Sequence, residues 1–426
     1  MKNKTIIFLL IINILGLIIG GCVSGKTINS IEDCASPYTT CIQKNNDIYE
    51  LSIYNAPVMY LKDGKYTMKD LSIVDSDKKE FMFMNKGSDI KVYFPKRIEQ
   101  DFYIEQDGIG KKFNFLVEEE FQDAIVSKYV NVFGEEVEAV IYKTQDGMEI
   151  IAYSTISGIQ FEYKLLKNNN VPNLTFECKD KSLTDNDGYI TINDNKKYVI
   201  YKPLIYANNN ELLWNYNIKY KKEGEKLKIY FDKPKDIDEI KVTFSIEVYL
   251  DKIPDSTAYS GKLENSYLRN YAVIGNSEEF GVGYHYVRFR LSYLFDMKAE
   301  NILQAKYYVK CLNDNDIPLV MGENKQQWSS TKLVWDGQND FSDIELSKGV
   351  MNSDGWISFD ITQFVKNCIN DKSLNSESIG CRIRSQENSE YSVVATSDNS
   401  LYVPYVKIWI SALPVRIKNV RSINPE

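Results

Sequence analysis

Hydrophobic and polar positions divide the chain into stretches of different character. Residues 6–19 are apolar apart from Asn13 and Gly16, follow Lys2 and Lys4, and end in Ile19-Gly20-Gly21-Cys22. A positive start, an apolar run and small residues predict an export signal over residues 1–21. The run of about 14 residues is shorter than the roughly 20 that a membrane-spanning helix needs. Ser, Gly, Asn and Thr follow, so residues 22–47 are expected to form a tether. From residue 48 to 250 the period is two: Ile90-Lys91-Val92-Tyr93-Phe94, Phe161-Glu162-Tyr163-Lys164-Leu165 and Leu227-Lys228-Ile229-Tyr230-Phe231 all alternate. Asp146-Gly147 lies between two such runs and Asp187-Gly188 precedes another, and both are hairpin signals. A helical period is confined to residues 117–130, with a single short helix expected over residues 362–368. Residues 251–261 read as a linker. A second β region, residues 262–413, ends in Tyr405-Val406-Lys407-Ile408-Trp409-Ile410 before a short basic tail, residues 414–426. Short strands punctuated by turns predict an all-β chain of two β-sandwich, jelly-roll-like domains in tandem, residues 48–250 and 262–413.

Composition agrees with sheets. The 426 residues suit two or three domains, hydrophobic residues make up 43 % and charged residues 26 %, and thirty tyrosines stand against eleven prolines. A net charge of −8 gives no general affinity for nucleic acid. The single histidine, His285, excludes mechanisms that need two, but not a carboxylate pair. No Cys-x-x-Cys or Cys-His spacing points to zinc, and no cofactor is expected. Cys34 could close a small loop with Cys41, and Cys368 could pair with Cys381, but connectivity is not legible in sequence. Cys178 and Cys311 lie in strand-like runs, as small buried hydrophobes. Residues 184–188 and 313–316 are acidic and amide-rich; their spacing misses a calcium loop and fits polar turns.

Two resemblances add to this. Gly20-Gly21-Cys22 resembles the lipobox of bacterial lipoproteins, which implies diacylation of Cys22 and an extracytoplasmic protein held to the cell membrane. Loss of Lys2 and Lys4 with the signal would take the charge from −8 to −10. Residues 262–413 resemble the DNRLRE domain, related to carbohydrate-binding module family 96. The likeness is carried by Arg290-Leu291-Ser292-Tyr293-Leu294-Phe295-Asp296 as a core strand, Ile302-Leu303-Gln304-Ala305, and Trp328 and Trp335 bracketing Thr331. It continues through Gly355-Trp356-Ile357-Ser358-Phe359-Asp360-Ile361-Thr362, Ile379-Gly380, Ala395-Thr396-Ser397-Asp398 and a closing Pro404-to-Ile408 strand, in that order. The family's opening strand and loop are replaced here by Asn265-Ser266-Tyr267-Leu268. The resemblance implies a β-sandwich module that binds carbohydrate without catalysis.

Read as residues, Asp296 and Asp360 are placed to cap turns or a helix start. Trp328, Trp335 and Trp356 suit a core or a sugar-stacking surface, since a flat apolar ring with a polar edge complements a pyranose. Tyr284, His285 and Tyr286 form a second polar-aromatic candidate. The candidate ligand-binding set is therefore Tyr284, His285, Tyr286, Trp328 and Trp335, with Cys22 as lipid attachment and no catalytic or metal residue. Expected partners are the membrane, through the anchor, and a cell-wall or environmental polysaccharide. Three readings compete. A binding module predicts exposed, roughly coplanar aromatics on one face of the second domain. A structural or adhesive scaffold predicts that all five tryptophans are buried and no groove exists. A polysaccharide-degrading enzyme predicts two acids facing each other across a cleft, about 5–10 Å apart.

Overall fold

The computed structural model describes residues 36–413, except for residues 46–47, 118, 168–173, 179–182, 187–188, 193–197, 202, 209–211, 214–217, 225, 232–236, 251, 263–265, 267–268, 314, 316, 325–326, 338–343, 372–378 and 388. Cys22, Cys34 and Trp214 thus lie outside the described residues. The all-β expectation holds. Strands dominate, every strand pairing among the described residues is antiparallel, and the α-helix Thr362–Asn370 stands where the sequence placed a short helix. Its first turn receives a carboxylate, since the Thr362 backbone N–H donates to Asp360 Oδ1 at 2.9 Å.

In the N-terminal half an eight-stranded and a nine-stranded sheet share one apolar cluster. Strands Ile90–Phe94, Phe102–Gln106 and Ile109–Leu116 send Val92, Phe102 and Phe115 into it from one sheet; Glu149–Ser154, Gly158–Leu166 and Glu239–Val248 send Ile150, Phe161 and Phe244 from the other. Phe102, Phe115 and Phe161 meet edge to face at 5.0–5.8 Å, the arrangement that aromatic quadrupoles favour. The Asp146-Gly147 hairpin forms as expected, with Lys143 opposite Glu149 and Gly147 at a positive φ of 89°. Leu183–Asn186 and Tyr189–Ile192 also pair, around a turn that lies outside the described residues.

The second half also has two sheets and a core of its own. A seven-stranded sheet runs in the order Ile344–Lys348, Leu319–Glu323, Cys381–Ser385, Gly281–Val287, Tyr271–Ser277, Tyr391–Ala395, with Ser256–Tyr259 also paired to Gly281–Val287. A six-stranded sheet, here the terminal sheet, runs Thr39–Asn45, Ile48–Tyr54, Tyr405–Ile410, Ile302–Lys310, Trp356–Asp360, Val350–Met351. Cys311, Cys368 and Cys381 are buried thiols in this half.

Several boundaries differ from those expected. Thr39–Asn45 is a strand rather than tether, and Ile48–Tyr54, expected to open the N-terminal domain, pairs with Tyr405–Ile410 at the far end of the chain. Cys41, Leu51 and Ile53 complete the apolar cluster of the second half, which is why the hairpin docks there. Ser256–Tyr259 is a strand inside the expected linker; its alternation is masked by Pro254 and the serines around it. Residues 117–130 contain the strand Ile125–Val130, because pairing with Glu136–Lys143 overrides a weak helical period. Arg290–Asp296 is not a core strand either: Leu291–Leu294 is a 3-10 turn that buries Leu291 and Leu294 and leaves the other side chains between them half-exposed.

Candidate functional site

Strand Gly281–Val287 sends alternate residues to opposite faces, and this separates the candidates found in sequence. His285 points inward and is 0 % exposed. Its Nδ1 lies 3.1 Å from Thr257 Oγ1 and its Nε2 3.7 Å from Asp255 Oδ2. Burial pushes the imidazole pKa down to about 3 and holds the Asp255 carboxyl well above the usual carboxylate range. A Thr, a His and an Asp in a row suggest a nucleophile set, yet all three are buried and the carboxylate is beyond hydrogen-bond range of the imidazole. His285 is therefore a core residue, not a ligand contact.

On the outer face the structure does bring Tyr284, Tyr286, Trp328 and Trp335 together. Trp328 lies between the Arg288 guanidinium, 4.1 Å from its ring centre, and Tyr286 at 5.6 Å, and its indole N–H donates to Ile379 O at 2.7 Å. Gly380 makes that geometry available: at φ +62° it passes so close to the Val287 carbonyl that a Cβ would sit 1.9 Å from the oxygen. Trp335 packs on Tyr284 at 5.1 Å, and the Arg382 guanidinium lies 4.7 Å from the same tyrosine ring. Trp328 and Tyr284 thus each carry an arginine and an aromatic ring of the protein against them. Trp328 and Tyr286 are buried, so this cluster is a cover over the sheet; only Tyr284 and Trp335 keep partial exposure.

The terminal sheet carries a second aromatic group that sequence reasoning did not single out as a set. Tyr54, Tyr405 and Tyr308 stand opposite one another on adjacent strands, all half-buried on the outer face. Tyr308 and Tyr405 stack at 5.0 Å with planes 8° apart; Tyr54 lies 5.2 Å from Tyr405. Rings at strand spacing with parallel planes stand on edge, so the row presents phenol edges rather than the coplanar platform a sugar face requires. Lys407 runs alongside, paired to Glu50 at 3.2 Å.

Beside this row Trp356 turns away, 65° from the plane of Tyr405, and forms a wall of an open groove of about 530 Å³ between the two halves. The N-terminal half contributes Phe133, Gly134 and Glu135, from the turn between Ile125–Val130 and Glu136–Lys143; the second half contributes Lys310, Asp354 and Trp356. Asn352 builds the Trp356 wall by accepting the backbone N–H groups of Asp354 and Trp356, while Gly355, at φ +72°, makes the turn. Lys310 is pinned at the base: its Nζ donates to the Asp354 carbonyl, ion-pairs with Glu135 at 3.5 Å, and lies 5.1 Å from the ring centre of Tyr402.

The halves meet firmly behind the groove. Phe133 packs edge-on against Tyr402 and Tyr206. Deeper, Ser157, Ser245 and Ser400 donate to Glu247 at 2.6–2.9 Å, and Lys252 bridges Glu247 at 3.8 Å and Asp398 at 3.4 Å. Burial raises the pKa of both carboxyls. In sequence, Trp356 suits a core or a sugar-stacking surface but falls outside the ligand-binding set, and Phe133 and Glu135 are not singled out, since Tyr402 and Lys310, against which they stand, lie in the other half. Asn313 and Asn315 bond to strand Tyr391–Ala395, through the Val393 N–H and the Tyr391 carbonyl, as a polar turn would. Among the described residues no three His, Cys, Asp or Glu side chains are placed to hold a metal ion. No protein-family model matches the chain, and no curated protein matches it in sequence.

Proposed function

We propose that this protein is a cell-surface lipoprotein, anchored through Cys22, that binds carbohydrate without transforming it, and that the groove between its halves is the binding site. The observation that carries the binding reading is the groove itself: a volume of about 530 Å³, within the roughly 300–1,000 Å³ of small-ligand sites, an indole wall, and side chains able to accept and donate hydrogen bonds to hydroxyls. The anchor rests on the lipobox-like residues, and the DNRLRE resemblance, carried by motifs alone, points the same way.

The test is retention on immobilised polysaccharides and a glycan array, using the protein from Val23 onward, which keeps every described strand. Wild type should bind, and Trp356→Ala should lose affinity several-fold or more as the sugar loses its apolar wall, with a native circular-dichroism spectrum showing that the fold survives the loss of the contacts to Tyr402 and Tyr405. Failure to bind any glycan would overturn the reading. Release of new reducing ends into the supernatant would overturn its non-catalytic part and turn attention to Glu135 and Asp354.

A further inference from the structure

We infer that the groove selects neutral sugars and rejects uronic or sialic acids, and that Glu135, contributed by the N-terminal half, is the residue that decides this. The inference rests on the binding reading above and deepens it. Among the described residues the one cation lining the groove is Lys310, and its charge is already committed. Its side chain is 7 % exposed, and the ammonium's three donors face the Asp354 carbonyl, the Glu135 carboxylate and the Tyr402 ring. A ligand carboxylate would have to break that set to reach it.

Among the described residues the remaining charges lining the groove are negative. The Glu135 side chain is 44 % exposed, and the Asp354 carboxylate is exposed and accepts the Ser353 hydroxyl at 3.1 Å. With one lysine against two carboxylates, the rim carries one net negative charge, which an acidic sugar would meet at close range. Hydroxyl groups meet the opposite situation. Carboxylates are strong acceptors for sugar O–H donors, and such charge-assisted bonds are about twice as strong as neutral ones. The same geometry gives the N-terminal half a role that its own sheets do not reveal: it closes the groove and sets its charge.

The experiment compares neutral oligosaccharides (gluco-, xylo- and manno-oligomers) with oligogalacturonate and sialylated glycans on the same chain by titration calorimetry. Wild type is expected to bind at least one neutral series and no acidic one. Glu135→Gln should weaken the neutral ligand several-fold, as one charge-assisted bond becomes a neutral one. Glu135→Lys should admit the acidic ligands. Trp356→Ala should lose the neutral ligand, and added to Glu135→Lys it should lose the acidic ones, so it reports on the site itself. Wild type that prefers uronates overturns the charge rule while leaving the binding site standing. Neutral binding that Trp356→Ala abolishes but neither Glu135 variant alters removes Glu135 from the role. Absence of any binding removes the site and the rule together.

Discussion

His285 shows how far a single residue can depart from its surface reading. Fully buried, it stays neutral in the folded protein, with its pKa lowered by burial to about 3, whereas in the unfolded chain it takes a proton near pH 6.5. Between those values the unfolded chain binds the extra proton, so stability contributed here is lost as pH falls from about 6.5 towards 3. Asp255, Glu247 and Asp398 act in the other direction: their raised values mean that the folded state holds protons longer, and stability declines as pH rises through those values. Unfolding midpoints of wild type and His285→Asn at pH 7.5 and 4.5 report on the histidine, with Glu247 and Asp398 common to both and an Asp255→Asn background removing the neighbouring acid. The loss on acidification should be smaller in the variant by about 3 kcal/mol, two pH units below 6.5 at about 1.4 kcal/mol each; parallel curves would show that the histidine is not buried neutral. Gly380 is the second residue of this kind. Gly380→Ala drives a Cβ into the Val287 carbonyl and should destabilise by several kcal/mol, read as a lower melting temperature with quenched or shifted Trp328 fluorescence.

Among elements, the hairpin made by Thr39–Asn45 and Ile48–Tyr54 has the largest consequence for how the chain divides. Its alternation was visible only from residue 48, and nothing local announced that its partner is the last strand, Tyr405–Ile410. Local period reports what a strand is, not which sheet receives it. The hairpin signals at Asp146-Gly147 and the helix at Thr362–Asn370 were legible because each is settled by neighbours in the chain. The groove and the tyrosine row were not, because each draws on residues from distant strands. A fragment starting at residue 255 keeps strand Ser256–Tyr259 but exposes the surface that Leu51 and Ile53 cover, and should aggregate or melt well below the intact chain. Leu51→Ala in the intact chain should cost about 2–5 kcal/mol. A fragment that melts as the full chain does would show the hairpin to be dispensable.

At the scale of the molecule, the two halves are joined by polar groups as much as by apolar ones. Lys252 sits, 5 % exposed, between Glu247 of the N-terminal half and Asp398 of the second. Removing it strands two buried carboxylates, a change that costs about 3–5 kcal/mol in comparable sites. Lys252→Ala should therefore lower the melting temperature and weaken glycan retention as the groove loses its fixed width, while Lys252→Arg keeps part of both. A variant that melts lower yet binds unchanged would show that the groove does not depend on this joint.

The position of that first hairpin also determines where a pull on the chain is felt. Tension arriving from the residues before Ser36 enters strand Thr39–Asn45, crosses one ladder to Ile48–Tyr54 and a second to Tyr405–Ile410, and from there reaches Ile302–Lys310, whose last residue is Lys310 at the base of the groove. The path stays within one sheet and bypasses the whole N-terminal core. Thr39, Ile53, Val406 and Tyr307 stand in one row across this sheet, so tension enters at the same end that carries Lys310; the load crosses the strands, and the rungs would open one after another from that end. A protein tethered at one end and holding a polymer in this groove would feel flow as peeling at the edge of that sheet, while the core of the N-terminal half carries little of the load.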